Sequence, residues 1–208
     1  MPSSKRKEPL HNWMLQSWLA LPVGLVVGRL DVEDSLAWQG VRVLICYLAT
    51  TEARKADVAL DPNAIFGMRH LSLWQCVGDF RGVITASPSR EQLLSLSINC
   101  YVYLTPVPCK NDQEGTLYGG TPTPARYSAT AMVNFVREFA AYELMRMVSA
   151  ERRRFTPMLP GPDGVTPWRK RQLDGFFHAL LLSILPAESA KSYSCLFSTS
   201  HPADDLLS

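Results

Sequence analysis

One stretch constrains the fold of this chain more than any other. Leu94-Ser95-Leu96-Ser97-Ile98-Asn99-Cys100-Tyr101-Val102-Tyr103-Leu104 alternates without a break. Side chains on a strand point to opposite faces with period 2. Leu94, Leu96, Ile98, Cys100, Val102 and Leu104 therefore form one dry face, and Ser95, Ser97, Asn99, Tyr101 and Tyr103 form a polar, aromatic one. A half-dry strand belongs in an antiparallel sheet, because strands of parallel sheets are buried on both faces and read as continuous apolar runs. A charge placed on the dry face, at Ile98 or Val102, is expected to prevent folding.

Two more strands are expected beside it. Met68 to Val77 and Phe80 to Ala86 read as a hairpin turning at Gly78-Asp79, residue types that tolerate a tight turn. Ser87-Pro88-Ser89 then turns the chain into the alternating strand. Val23 to Glu33, with Leu25, Val26, Val27, Leu30 and Val32, reads as a fourth strand kinked at Gly28. Between Thr105 and Tyr127 lie Pro106, Pro108, Gly115, Gly119, Gly120, Pro122 and Pro124, the composition of a long exposed loop open to a protein partner.

Helices flank these strands. Trp13, Met14, Trp18, Leu19 and Leu21 predict a short helix from Asn12. Its tryptophans suit either the core or, behind the basic Lys5-Arg6-Lys7, a membrane or partner surface. Pro22 and the polar Gln16 and Ser17 argue against a membrane span or signal peptide there. Leu36, Val41, Leu44, Ile45 and Leu48 recur at helical spacing after Asp34 or Ser35, either of which can cap the helix. Ser128 is the expected cap of a helix running to about Arg152, with Met132, Phe135, Val136, Phe139, Ala140, Tyr142 and Met147 apolar. Thr166-Pro167 predicts the start of a last helix, whose stripe is Leu173, Phe176, Phe177, Leu180, Leu181 and Ile184. The expected architecture is α+β: an antiparallel sheet of about four strands, covered on one face by the two C-terminal helices. Residues 1–11 are expected as a basic flexible tail, 12–186 as one domain with an exposed loop over 105–127, and 187–208 as a flexible tail.

Composition excludes several classes. The chain has 208 residues, 47% of them hydrophobic, enough for a core and too apolar for a disordered chain. A net charge of +2 carries no nucleic-acid signal unless charge is concentrated locally. Cys46, Cys76, Cys100, Cys109 and Cys195 are odd in number and widely spaced, with no C-x-x-C pair. That pattern fits free thiols and an intracellular setting, cytoplasmic or nuclear. His11, His70, His178 and His201 fall at no metal-binding spacing, and no phosphate loop, dinucleotide fingerprint or other cofactor motif is present.

The local concentration of charge lies at helix ends. Arg152-Arg153-Arg154 closes one predicted helix, and Arg169-Lys170-Arg171 opens the next. Cations at a helix start oppose the dipole and cost roughly 0.3–1 kcal/mol each. The free N–H groups of that end also call for an anion. The six residues are therefore the expected anion-binding site, for RNA, another anionic polymer or an acidic membrane surface, with Lys5, Arg6, Lys7, Trp13 and Trp18 as further membrane or partner contacts. A basic tail, a compact body, a long loop and basic helix ends give the chain an outline that resembles small viral matrix- or capsid-type proteins. That outline implies a self-assembling, homo-oligomeric interaction protein without catalytic activity. Two other readings stand beside it: an enzyme with a Cys–His site on the sheet, such as His70 with Cys100, and a nuclear regulatory protein with Lys5-Arg6-Lys7 as import signal.

Overall fold

The computed structural model describes residues 8–21, 26–27, 30–31, 35–51, 58–67, 70–105, 122–161, 163–191 and 193–197. Lys5-Arg6-Lys7, most of the expected loop, Cys109 and the chain after 197 lie outside them. The fold is α+β, with helices packed against one face of a four-stranded antiparallel sheet.

That sheet is built from β4 (Cys76–Phe80), β5 (Val83–Thr85), β6 (Cys100–Leu104) and β7 (Thr123–Arg126), in the order β5-β4-β6-β7. Cys76 pairs with Leu104 and Phe80 with Cys100, so β4 and β6 lie in full antiparallel register. The β4–β5 turn falls at Arg81-Gly82 rather than at Gly78-Asp79, and both turn residues have positive φ, 58° and 91°. A two-residue turn of that kind matches the twist of the strands it joins. Asp79 Oδ1 accepts the Gly82 N–H at 2.7 Å and locks it. Gly78 stays inside β4, where a Cβ would meet Phe80 Cε2 at 2.2 Å.

Only the second half of the alternating stretch is a strand. Its first half closes α3 (Arg90–Leu94) and turns at Ile98-Asn99. The reason is a local one: Ser89 Oγ accepts the Gln92 N–H while Gln92 Oε1 accepts the Ser89 N–H, a reciprocal cap that starts a helix. Ile98 is consequently 63% exposed and is not on the dry face, whereas Val102 is buried. The fourth strand is β7, from the end of the expected loop. It tolerates Pro124 because it is an edge strand. The stretch expected to supply that strand instead holds a separate hairpin, β2 (Val26–Val27) with β3 (Leu30–Asp31).

Cys76, Val102, Leu104 and Ala125 face one continuous core with α1 (Asn12–Leu19), α2 (Ser35–Thr51), α4 (Phe135–Arg146) and α5 (Lys170–Leu182). Helices α2 and α4 run antiparallel, since Gly40 lies against the Tyr142 ring and Tyr47 meets Phe135 edge-on. A polar lock joins them. Glu138 accepts from Arg42 Nε at 2.8 Å, from Gln39 Nε2 at 3.0 Å and from Arg137 Nε at 3.1 Å. Burial alone would raise the Glu138 carboxyl, but the Arg42 and Gln39 hydrogen bonds outweigh it and hold it below the usual carboxylate range.

Two helix boundaries differ from expectation. α4 begins at Asn134, whose side chain accepts the Arg137 N–H at 2.9 Å, because Ser128 Oγ is already engaged with the N–H groups of Thr130 and Ala131. α5 starts at Lys170 rather than beside Pro167, because Leu60 pairs with the backbone on both sides of Arg169. The segments expected as tails contribute strands: β1 (Glu8–Leu10) pairs in parallel with β8 (Tyr193–Phe197), just beyond α6 (Ala187–Ala190). Trp18 is buried, donating Nε1–H to Leu180 O at 2.9 Å and meeting Phe177 edge-on, while Trp13 is half-exposed. No helix among the described residues is long and apolar enough to cross a membrane.

Candidate functional site

The two basic clusters meet different fates. α4 ends at Arg146, and Met147 leaves it in the left-handed region, φ 43°. Arg152 to Arg154 therefore lie beyond that helix, on a 3-10 helix at Ala150–Phe155. A 3-10 helix has three residues per turn, so consecutive side chains point about 120° apart. The three arginines diverge accordingly. Arg153 turns inward, is 1% exposed and pairs with Glu143. Arg154 lies over the Trp74 ring, 4.9 Å from its centroid. Arg152 turns the third way, on the same edge as Phe155, into a groove.

At the start of α5 the missing negative charge comes from elsewhere in the chain. Lys170 Nζ donates to Asp61 Oδ1 at 2.6 Å. Arg169 Nη1 donates to the carbonyls of Asp61 and Ala64 at 3.0 and 2.7 Å, and to that of Pro62 at 3.4 Å. Two of the three cations thus fasten the 58–64 segment to the helix start, and Arg171 stands exposed. Of the expected anion-binding set, Arg153 is buried in an ion pair, Arg169 and Lys170 are tied to the 61–64 segment, Arg154 lies exposed over Trp74, and Arg152 and Arg171 are exposed.

The groove beside Arg152 has a volume of about 530 Å³ and lies between the end of α4, the 3-10 helix and the loop at Gly164-Val165. Phe155 is 78% and Val165 71% exposed on its rim, with Met145 and Met147 half-exposed beside them. Gly164, at φ 69°, turns the loop at a point where a Cβ would meet Cδ2 of Leu36, another groove residue, at 3.1 Å. Arg146 lies over the Tyr142 ring at 4.8 Å and donates Nη2–H to Pro157 O at 3.2 Å. The result is a groove rimmed by large exposed apolar side chains, with the exposed Arg152 and the half-buried Arg146 among them. Sequence reasoning missed its apolar half, because Met145, Met147, Phe155 and Val165 come from three separate segments. Two of them carried a signal, since Met147 and Phe155 flank the arginines where the helical periodicity breaks.

No cysteine and histidine are brought together among the described residues. His70 Nδ1 accepts the Gly67 N–H at 2.9 Å and its ring stacks on Phe66, off the sheet. Cys100 is buried and its Sγ accepts the Ser97 N–H at 3.3 Å. Burial pushes the Cys46 thiol up to about 12 and raises that of Cys76 as well, the opposite of what a thiolate nucleophile needs. Among the described residues no group of three His, Cys, Asp or Glu side chains is placed to hold a metal ion. Comparison with protein families, with characterised proteins and with solved structures gave no match to this chain.

Proposed function

We propose that this chain is an interaction protein that docks on an acidic membrane surface through the 3-10 helix at Ala150–Phe155 and the groove beside it. One observation carries this reading: Arg152 and Phe155 share one exposed edge of the short helix and line the groove with Met145, Met147 and Val165, while Arg154 stands exposed over Trp74 on the next edge. Apolar side chains held out in water gain about 25 cal/mol for each Å² they bury in an acyl layer. Each arginine near anionic headgroups adds on the order of 1 kcal/mol. An RNA backbone would use the arginines and leave Phe155 and Val165 in water, which favours the membrane over the nucleic acid.

The test is co-sedimentation with vesicles of phosphatidylserine and phosphatidylcholine, against phosphatidylcholine alone, over a salt series. Binding is expected only to the acidic vesicles and should fall with salt. Phe155→Ser should weaken it at every salt concentration. The double change Arg152→Gln and Arg154→Gln should weaken it at low salt and flatten the salt dependence. Absence of vesicle binding refutes the proposal. So does binding to single-stranded RNA that shows the same salt dependence and ignores Phe155→Ser.

A further inference from the structure

The four-stranded sheet has a second face. On β4 and β6 buried residues alternate with half-buried ones, so the face opposite the core carries Val77, Asp79, Tyr101 and Tyr103. β7 adds the exposed Pro124 and Arg126, and β5 adds Ile84, 70% exposed. Register sets these side chains in rows across the strands. Ile84, Asp79, Tyr101 and Arg126 form one row, and Val77, Tyr103 and Pro124 form the next. Tyr101 and Tyr103 stack on each other, with ring centroids 6.3 Å apart, and the Arg126 guanidinium lies 5.7 Å from the Tyr101 ring centroid.

We propose that this face is a self-complementary interface on which a second copy of this chain docks. The charge pattern argues for that occupant. Along the first row a carboxylate and a guanidinium flank a central tyrosine, one strand away on either side. Adjacent strands lie about 4.8 Å apart, so Asp79 and Arg126 stand roughly 10 Å from each other across Tyr101. A two-fold axis lying between two such faces and running along β6 exchanges the β4 and β7 positions. Asp79 then faces Arg126 of the second copy, Arg126 faces the second copy's Asp79, and the two Tyr101 rings meet at the axis. Ile84, one strand further out, falls beside the aliphatic stem of the second copy's Arg126. Two sheets stacked face to face at about 10 Å are an ordinary sandwich geometry, and an isologous contact of this kind closes as a dimer. A nucleic acid would meet Asp79 in the middle of the face, and an unrelated apolar surface would offer neither the Asp79 carboxylate nor the Arg126 guanidinium, whose Nε donates to Ile98 O at 3.0 Å, a charge of opposite sign.

The experiment is light scattering of the purified chain on a sizing column, with three variants. The wild type is expected to form a dimer that dissociates on dilution. Arg126→Asp sets two carboxylates against each other twice over and should weaken the dimer roughly a hundredfold. Asp79→Lys should do the same, and an equimolar mixture of the two variants should associate again, since the introduced lysine of one would face the introduced aspartate of the other. Asp79 also holds the β4–β5 turn, so Tyr101→Lys is the second probe: it places like charges at the axis without touching that turn, and should also yield monomer. Circular dichroism on each variant reports whether the fold is retained. A wild type that stays monomeric at concentrations up to roughly 1 mM overturns the proposal. So does a dimer indifferent to both Arg126→Asp and Tyr101→Lys.

Discussion

Arg152, Arg153 and Arg154 are three identical letters with three different environments. Removing one partner of a buried ion pair leaves the other charge uncompensated, so Arg153→Gln should cost about 3–5 kcal/mol. Arg152→Gln and Arg154→Gln should each change stability by no more than about 1 kcal/mol, in the range of exposed charge contacts. Urea denaturation of the three variants measures both. Nothing in the three letters separates them. What does so is a three-residue helical turn and the presence of Glu143 on the preceding helix, and neither is visible in a run of like charges. Glu138 gives a second prediction. Its carboxyl is depressed in the folded chain, so the stability it contributes is complete above the unfolded value of about 4.3 and is lost as pH falls through the lower folded value. The Glu138→Gln variant should be less stable than the wild type at pH 7, with the difference narrowing below about pH 4. Thermal melts between pH 3 and 7 decide this, and a gap that widened on acidification would remove Glu138 from the α2–α4 lock.

At the scale of elements, β6 separates two substitutions that period 2 treats alike. Val102→Asp buries a charge on the core face and should yield no soluble protein, while Ile98→Asp should fold, because Ile98 is on an exposed turn. Soluble yield with a melting curve on both variants is the measurement. The half of the strand that was legible is Cys100 to Leu104, where alternation coincides with aromatic and β-branched residues. The half that was not is overruled by Ser89 and Gln92, whose cap spacing is itself a sequence signal and competes with alternation. β7 was hidden by Pro124, a residue that excludes a central strand but not an edge one. The start of α5 breaks a local rule in the sequence, and the fold compensates by pairing Lys170 with Asp61 from a distant segment. Helix dipole reasoning needs the tertiary neighbour, and sequence distance conceals it.

At the scale of the molecule, Cys46, Cys76 and Cys100 are all sealed in the interior. Iodoacetamide should leave these three unmodified in the native protein and alkylate them once it is unfolded, as peptide mass spectrometry would show. Rapid native labelling of Cys46 would mean that the α2 core opens readily. The layout of that interior was legible as a class, α+β around an antiparallel sheet, because the periodicities of strands and helices are local. The pairing of β1 with β8 was not, since three residues of strand carry no pattern. That pairing sets a timetable. The partners of the N-terminal segment are late ones: His11 meets Tyr193, Trp18 meets Phe177 and Leu180, and β1 waits for β8. A ribosome adds about 5–20 residues per second, so β1 and the Trp18 face of α1 wait on the order of ten seconds or more for these partners, although α2, which donates to Leu19 O through Arg42, follows α1 closely. During that interval β1 is an unpaired edge and the Trp18 face of α1 is wet. Residues 8–10 and the Trp18 face of α1 can thus complete their contacts only once the chain has been made as far as residue 197.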